Sequence, residues 1–252
     1  MSNKEKSTQH IKLYAGPEHA CGYIDNQTAV SLFADPSLPM NNALYSELSR
    51  LGFRRSGNHV YRPKCPHCSA CQPFRVLTEQ FKPSRSQRRI LKANQDLSVH
   101  FEPAKPNHED YELYEHYVTE RHRDGDMYPP SFDQYADFLF SDWCKSAQIR
   151  VKDGEQTVAI MCLDLLDDGL SAVYSFFDTD ERYKSLGVFL IIKTIALARK
   201  LNLPYAYLGY YIQDCHKMSY KSSYKPAEVL HNNRWKLLSE TIPSSDISLP
   251  SY

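Results

Sequence analysis

Long hydrophobic runs are missing from this sequence. No stretch approaches the roughly 20 apolar residues that carry a helix across a bilayer, so no membrane-spanning helix is expected. The opening Met1-Ser2-Asn3-Lys4-Glu5-Lys6 is polar and leads into no apolar signal segment, and a cytoplasmic location is the simplest expectation. An excess of charge of either sign is missing too: 30 basic residues balance 30 acidic ones, so the molecule as a whole is no electrostatic sponge for nucleic acid. Neither Gly-x-Gly-x-x-Gly nor a Walker loop occurs, which removes the usual nucleotide cradles. No histidine pair sits at helical metal-binding spacing, which weakens zinc hydrolysis, and no Gly-x-Ser-x-Gly elbow marks a hydrolase serine. The seven cysteines are odd in number and lack a secretion context, which argues against a disulfide scaffold.

What remains is an ordinary globular composition. The 252 residues are 42% hydrophobic and 24% charged, enough for one substantial core or two smaller ones. The balanced charge is unevenly distributed. Arg75, Lys82, Arg85, Arg88, Arg89 and Lys92 face Glu79 alone, and Lys217, Lys221, Lys225, Arg234 and Lys236 face Glu228 alone. Between His108 and Asp137 acids far outnumber Arg121 and Arg123. Such clusters form either a local track for a phosphate backbone or solvated surface charge.

Cys65-Pro66-His67-Cys68-Ser69-Ala70-Cys71 places three thiols at three-residue intervals. With Cys21 as a distant fourth ligand, they suit a structural or regulatory zinc or iron–sulfur cluster. His59 and His67 are further candidate ligands. The competing reading is a turn of free thiols packed as small core residues.

The pattern predicts a compact, irregular N-terminal stretch with a helix near Asn42–Leu51 and a hairpin over Arg54–Tyr61. An extended segment follows at Gln72–Leu77. Helices are expected at Ser84–Asn94, at His108–Glu120 capped by Asn107, and at Ser131–Phe140 with Ser131 and Gln134 as a capping box. Strands at Val151, Thr157–Leu165 and Leu170–Phe177 precede a buried helix at Leu186–Lys200 and a strand at Tyr205–Tyr211. That order is α/β, with a site expected at strand ends near the helix.

Two segments carry candidate chemistry. Tyr174-Ser175-Phe176-Phe177-Asp178 runs off a strand toward Ser185-Leu186-Gly187, where helix-start amides offer a positive dipole and Gly187 leaves room for close approach. Tyr210-Tyr211 through Cys215-His216-Lys217-Met218-Ser219-Tyr220-Lys221 combines tyrosines suited to stacking with lysines suited to phosphates. Lys217 and Lys221 share a face if that stretch is helical. Cys215 beside His216 reads as a packed thiol more readily than as a nucleophile.

Several of these features coincide in a known order. Cys21-Gly22-Tyr23, Tyr61-Arg62-Pro63 through Cys65-x-x-Cys68-x-x-Cys71, and Ser84-Arg85-Ser86-Gln87-Arg88-Arg89 resemble the N-terminal half of the bacterial aspartate/glutamate leucyltransferases, in the arginyl-tRNA–protein transferase family. Tyr174–Asp178, Ser185–Gly187, and Leu208-Gly209-Tyr210-Tyr211-Ile212 through Lys217-Met218-x-Tyr220-Lys221 resemble the C-terminal half. The resemblance implies a Gcn5-type acyltransferase-like mixed sheet over residues 84–240. It also implies an N-terminal cysteine-bearing α+β region over 1–83 and a flexible tail over 241–252. It implies transfer of leucine from leucyl-tRNA to the α-amine of proteins beginning with Asp or Glu, a step in the N-degron pathway, with no cofactor required by the chemistry. Longer relatives carry Cys-Gly-Tyr-Cys where Ile24 stands here, so their cluster ligation does not transfer directly.

On this reading Asp178 orients or deprotonates the amine, the Ser185–Gly187 amides stabilise charge, and Tyr174, Tyr210 and Tyr211 hold the aminoacyl end. Arg75 is expected to read the acceptor's carboxylate, with Arg54, Arg55 and Lys217 as alternatives. Arg85, Arg88, Arg89, Lys217 and Lys221 are expected to meet tRNA. The competing functions are arginine as the donor residue, an acetyl-CoA-dependent N-acyltransferase, and a metal-stabilised RNA-binding protein without catalysis.

Overall fold

In the computed structural model, residues 10–125 and 127–241 are described. The tail beyond Thr241 therefore lies outside the described residues. The first layer is a four-stranded sheet of β1 (Leu13–Ala15), β4 (Ser31–Ala34), β5 (Arg54–Ser56) and β6 (His59–Pro63), in the order β1-β4-β6-β5. A small ladder of β2 (His19–Ala20) and β3 (Thr28–Ala29) sits beside it. Helix α1 (Asn42–Arg50) completes the layer, with Asn41 accepting the Leu44 N–H at 3.0 Å as its cap. The region expected to be irregular thus contains six short strands. Its strands run only two to five residues, too short for a period-two pattern to stand out.

The second layer is an eight-stranded sheet. Its strands are β7 (Gln72–Leu77), β8 (Ser98–Pro103), β9 (Ser146–Asp153), β10 (Gln156–Leu165), β11 (Gly169–Phe177), β12 (Tyr205–Tyr211), β13 (Ala227–His231) and β14 (Arg234–Leu237). The order is β14-β13-β7-β12-β11-β10-β9-β8. Every neighbouring pair is antiparallel except β11 and β12. That one parallel pair needs a crossover, which α5 (Leu186–Lys200) supplies. Nearly the whole of α5 is apolar, and eight of its side chains are buried against the sheet. The fold is α/β with a large mixed sheet, as the element order implies.

The boundary expected after residue 83 does not divide this sheet. β7, from the cysteine-bearing segment, lies inside it as the third strand from one edge, between β12 and β13. Phe74, Val76, Ala206 and Val229 bury together there, so apolar side chains from both halves close one core.

Helix α2 (Arg85–Ala93) forms as expected through a complete capping box between Ser84 and Gln87. Gln87 also donates to the Ser223 carbonyl at 3.3 Å, tying α2 to the chain after β12. Helices α3 (His108–Arg121) and α4 (Phe132–Leu139) cover the other sheet face through an aromatic core of Tyr114, Tyr135 and Phe176. The Ser131 hydroxyl caps α4, while Asn107 and Asp110 bond reciprocally at the start of α3. The chain after β12 forms α6 (His216–Ser219), a 3-10 turn (Tyr220–Ser223) and, after β14, α7 (Leu238–Thr241).

The N-terminal layer is clamped to the large sheet by one buried ion pair. Arg55 Nε and Nη2 donate to Asp164 Oδ2 and Oδ1 at 2.8 and 2.6 Å, and Nη2 also donates to the Leu139 carbonyl at 2.9 Å. Both side chains are essentially solvent-free, at 1% and 0% exposure. Removing one member strands the other as an unpaired buried charge. Asp164→Ala is therefore expected to lower unfolding free energy by about 3–5 kcal/mol in urea titrations. A loss below about 1 kcal/mol would contradict the clamp.

Candidate active site

The parallel pairing of β11 with β12 stops at Ser171↔Tyr207, although β11 continues to Phe177 and β12 to Tyr211. Both strands carry an irregularity at this point. The β12 register against β7 shifts between Tyr207 and Tyr210, and Gly209 there has φ +80°, where a Cβ would be strained. Opposite Cys162 and Leu163, β11 carries Val173 as an extra residue between Ala172 and Tyr174. The strands part, and a gap opens in the middle of the sheet.

Two cations flank this gap, one from each side. Arg54 reaches across from β5, donating through Nη1 to Ser171 Oγ at 2.8 Å and through Nη2 to the Ala172 carbonyl. Lys221 Nζ donates to the Tyr210 carbonyl on the β12 side. Burial pushes the Lys221 amine down to about 8, and the Arg54 charge adds to the effect. A Cβ placed on Gly209 would meet only Lys221 Nζ, at 3.8 Å, so the space above this glycine is open.

The upper end of β11 brings two of the predicted positions together. Gly187 is the second residue of α5, and a Cβ there would stand 3.2 Å from the Phe177 ring, immediately before Asp178. Asp178 donates its N–H to the Val158 carbonyl and accepts the Asp180 N–H at 2.9 Å. Ser185 precedes α5 in a left-handed conformation (φ 52°, ψ 49°) with no side-chain cap, leaving the first amides of α5 without a side-chain acceptor. From Ala172 to Asp178, at about 3.3 Å per residue, this end lies roughly 20 Å along the strand from the gap's base.

The tyrosines divide between the two faces of the sheet. Tyr174 lies on the α3 side, its ring 6.3 Å from Tyr117 and 5.4 Å from Phe138. Its hydroxyl is buried without a hydrogen-bond partner, and burial raises its pKa so that it stays a proton donor. Tyr210 donates its hydroxyl to the Gly52 carbonyl at 2.9 Å and so ties β12 to the N-terminal layer. Tyr211 packs against Phe74, with ring centroids 5.7 Å apart, inside the main core. Leu186 and Val188, on either side of Gly187, belong to that same core.

Arg75, expected to read the acceptor's carboxylate, is already paired within the fold. Its Nε and Nη2 both lie 2.7 Å from Glu228 Oε2, and its guanidinium is held between the Tyr205 and Trp235 rings at 3.5 and 4.0 Å. All of its charge is spent within the β7–β13 pairing. Arg55, one of the alternatives, is likewise committed to Asp164.

Among the expected tRNA contacts, Arg85, Arg88, Arg89 and Lys217 are exposed, whereas Lys221 is buried. The helical face expected to unite Lys217 with Lys221 is broken because α6 ends at Ser219 and a 3-10 turn begins at Tyr220, turning Lys221 inward. The basic face of α2 flanks the start of α5, since Asn94 at its C-terminal end donates to the Lys184 carbonyl at 2.8 Å.

The cysteine turn closes as a β-bridge between Cys65 and Cys68. It borders an open cavity of about 630 Å³ whose lining includes Arg62, Cys71 and Tyr210. Burial pushes the Cys71 thiol up to about 11, with Cys65, Cys21 and Cys68 adding to the rise. The four sulfurs expected as ligands are neighbours, yet among the described residues no three His, Cys, Asp or Glu side chains converge to hold a metal ion. The ligand set of Cys21, Cys65, Cys68 and Cys71 does not fit a metal in this arrangement. Three-residue spacing here serves backbone pairing in a turn.

Sequence reasoning underrated Arg54 and mistook the setting of Lys221. The signal available was Gly209 inside a strand pattern, a mark of a bulge or a close backbone approach.

Matches to known sequences place the chain in a class of tRNA-dependent transferases that act on proteins, and it is an enzyme of the aminoacyltransferase kind. Residues 19–89 match the family described as arginine-tRNA-protein transferase, N terminus, and residues 109–231 match its C terminus, so the chain belongs to that family. A protein of Nitrosococcus oceani named aspartate/glutamate leucyltransferase is 49% identical over 92% of this chain and 98% of its own length. One of Alcanivorax borkumensis with the same name is 47% identical over 94% of this chain and 98% of its own. A solved structure, the C-terminal domain of a putative lysylphosphatidylglycerol synthetase from Agrobacterium fabrum, is 10% identical at a TM-score of 0.38 over 77% of this chain and 71% of that one. That likeness is too distant to carry an argument.

The Tyr174 hydroxyl supplies a direct test. Tyr174→Phe removes a buried group that has no partner, so thermal stability is expected to hold or rise slightly. Aminoacyl transfer is expected to fall about tenfold or more once the hydroxyl can no longer bond to substrate. Unchanged transfer would make this side chain packing alone.

Proposed function

We propose that this chain is a cytoplasmic leucyl-tRNA–protein transferase that adds leucine to the α-amine of proteins beginning with Asp or Glu. The observation that carries this reading is a match along about nine-tenths of the chain to relatives bearing that activity in their names. The proposed kinship with Gcn5-type acyltransferases rests on the order of elements and on the gap between two parallel strands joined by α5.

The chemistry needs little from the protein beyond placement. Leucine arrives as an ester of the tRNA's terminal ribose. The acceptor's amine, with an ordinary pKa of roughly 7.7–8.0, has a useful neutral fraction near pH 7. Its lone pair forms the new C–N bond, a tetrahedral intermediate follows, and the C–O bond to ribose breaks. The amine's proton leaves as the ribose oxygen takes one up. Holding the reactants together can supply about 7–11 kcal/mol of the barrier.

In this scheme the tRNA end approaches over α2, where Arg85, Arg88 and Arg89 are exposed, and Lys217 contributes from α6. The uncapped amides at Ser185–Gly187 meet a phosphate or ribose oxygen. Asp178 stands at that same end and binds a ribose hydroxyl, while the leucyl ester reaches down the gap toward Tyr174. The Tyr174 hydroxyl then donates to the ester carbonyl as charge develops there. The proton-transfer role expected for Asp178 gives way to one in positioning tRNA, because the gap's base lies far along β11.

Two outcomes test this scheme. Leucyl- and arginyl-tRNA crossed with peptides beginning Asp, Glu, Ala, Arg and Lys are expected to yield leucine on the first two only. Arginine transfer in place of leucine would overturn the donor, and transfer without acidic selection would overturn the acceptor. Replacing Arg85, Arg88 and Arg89 with Gln is expected to flatten the salt dependence of tRNA binding. The slope should drop by ~0.7–0.9 log units per log of salt for each phosphate left without its arginine. An unchanged slope would remove α2 from the RNA surface.

A further inference from the structure

With Arg75 committed to Glu228, the acidic first residue of an acceptor needs another cation. We propose that Arg54 and Lys221, which flank the gap between β11 and β12 from its two sides, seat the side-chain carboxylate of the acceptor's first residue. This inference rests on the leucyltransferase reading and names its specificity site.

Among the buried cations, this pair differs from Arg55 and Arg75. Arg55, Arg75 and Arg150 each hold a carboxylate oxygen at 2.5–2.7 Å. Arg54 and Lys221 are buried to a similar degree, at 9% and 6% exposure, yet among the described residues neither has a carboxylate within 4.0 Å. Their partners are neutral: Ser171 Oγ and the Ala172 carbonyl for Arg54, the Tyr210 carbonyl and Met218 Sδ for Lys221. Two buried positive charges that feel each other without an acid between them are costly, and a visiting anion relieves the cost.

Geometry gives that anion a place. The parting of the strands leaves room, and the missing side chain at Gly209 opens space beside Lys221 Nζ. A guanidinium from β5 and an ammonium from the turn after β12 approach the gap from different elements. An Asp or Glu side chain can thus be gripped while its α-amine, a few ångströms away, faces the leucyl ester descending from the α5 end. An uncharged Asn or Gln side chain brings no charge to offset the pair and is rejected.

Titration offers an independent handle. The groups acting on Lys221 are Arg54, which lowers its pKa below that set by burial, and the Cys215 and Cys71 thiols, which act weakly the other way. Below about 8 the amine is charged and grips the carboxylate. As pH rises through that value the charge is lost, leaving Arg54 alone. Preference for Asp over Asn should then decline to a lower plateau. The α-amine titrates in the same range, and its pKa, higher in the Asp peptide because of the neighbouring carboxylate, is measured for each peptide so that rates are compared per neutral amine.

The test uses the full chain, leucyl-tRNA, and matched peptides beginning Asp or Asn, with kcat/KM measured for each on the same enzyme sample. Lys221→Met and Arg54→Gln are each expected to cut the Asp:Asn ratio tenfold or more, mainly through KM, and Lys221→Arg is expected to keep most of it. In the unmodified enzyme the ratio should fall between pH 7 and 9.5, since kcat/KM reports ionisations of the free enzyme. Equal losses for both peptides in the two neutral variants would assign the pair to the reacting centre or the fold and overturn the proposal. Where a variant fails to fold, a flat pH dependence of the ratio in the unmodified enzyme does the same. Failure of the underlying reading is distinct: the unmodified enzyme would then transfer leucine to neither peptide, or to both equally.

Discussion

The arrangement depends on a carboxylate and a guanidinium that have left water together. Arg55 and Asp164 meet through two hydrogen bonds with essentially no solvent contact, joining β5 of the first layer to β10 of the second. Charges this deep are tolerated only when paired with good geometry, so the contact fixes how the small sheet lies on the large one. The adjacent residue, Arg54, is then delivered to Ser171 and Ala172 on β11. Asn42 adds a neutral tie, donating to the Leu165 carbonyl at 3.0 Å and accepting the Lys145 N–H at 3.0 Å. The N-terminal layer is therefore part of the site's wall.

The gap follows from two local defects acting together. A single bulge bends a strand, but its neighbour can follow and preserve pairing. Here both β11 and β12 carry an extra residue near where their parallel ladder ends, and they separate. Polar main-chain groups exposed by the separation are taken up by Arg54 and Lys221. The same cations that complete the hydrogen bonding of the opened sheet bring positive charge into it. Structure and electrostatics are thus settled by one pair of side chains.

Much of the scaffold was legible because its elements announce themselves locally. Asn107, Ser131 and the Ser84–Gln87 pair cap helices at the expected places, and the apolar length of α5 could only be a buried crossover helix. The place of β7 was not legible, since nothing in six residues says which strands will flank them. The roles of charged residues were the least legible. Arg75 has the sequence neighbourhood of a ligand-binding arginine, but a glutamate 153 positions away claims it. Lys221 is four residues after an exposed lysine, yet a change from α to 3-10 winding turns it inward. Asp178 and Gly187 stand near each other because a strand end and the next helix start are neighbours by connectivity. The irregularity in β12, which sets the face taken by Tyr210 and Tyr211, left no mark in the sequence beyond Gly209.

The interior position of β7 also constrains how the chain comes into being. Its partner residues on β12 lie far downstream: Arg75 bonds to Tyr207 across 132 residues. During synthesis this segment emerges early and waits, both of its edges unsatisfied, until most of the polypeptide has left the ribosome. The core of the first layer also waits for Leu166 and Tyr207, so both layers are completed by late, long-range closure, the slow and aggregation-exposed kind of folding. A catalytic centre assembled from both ends of the chain thus comes into existence all at once, near the end of its making.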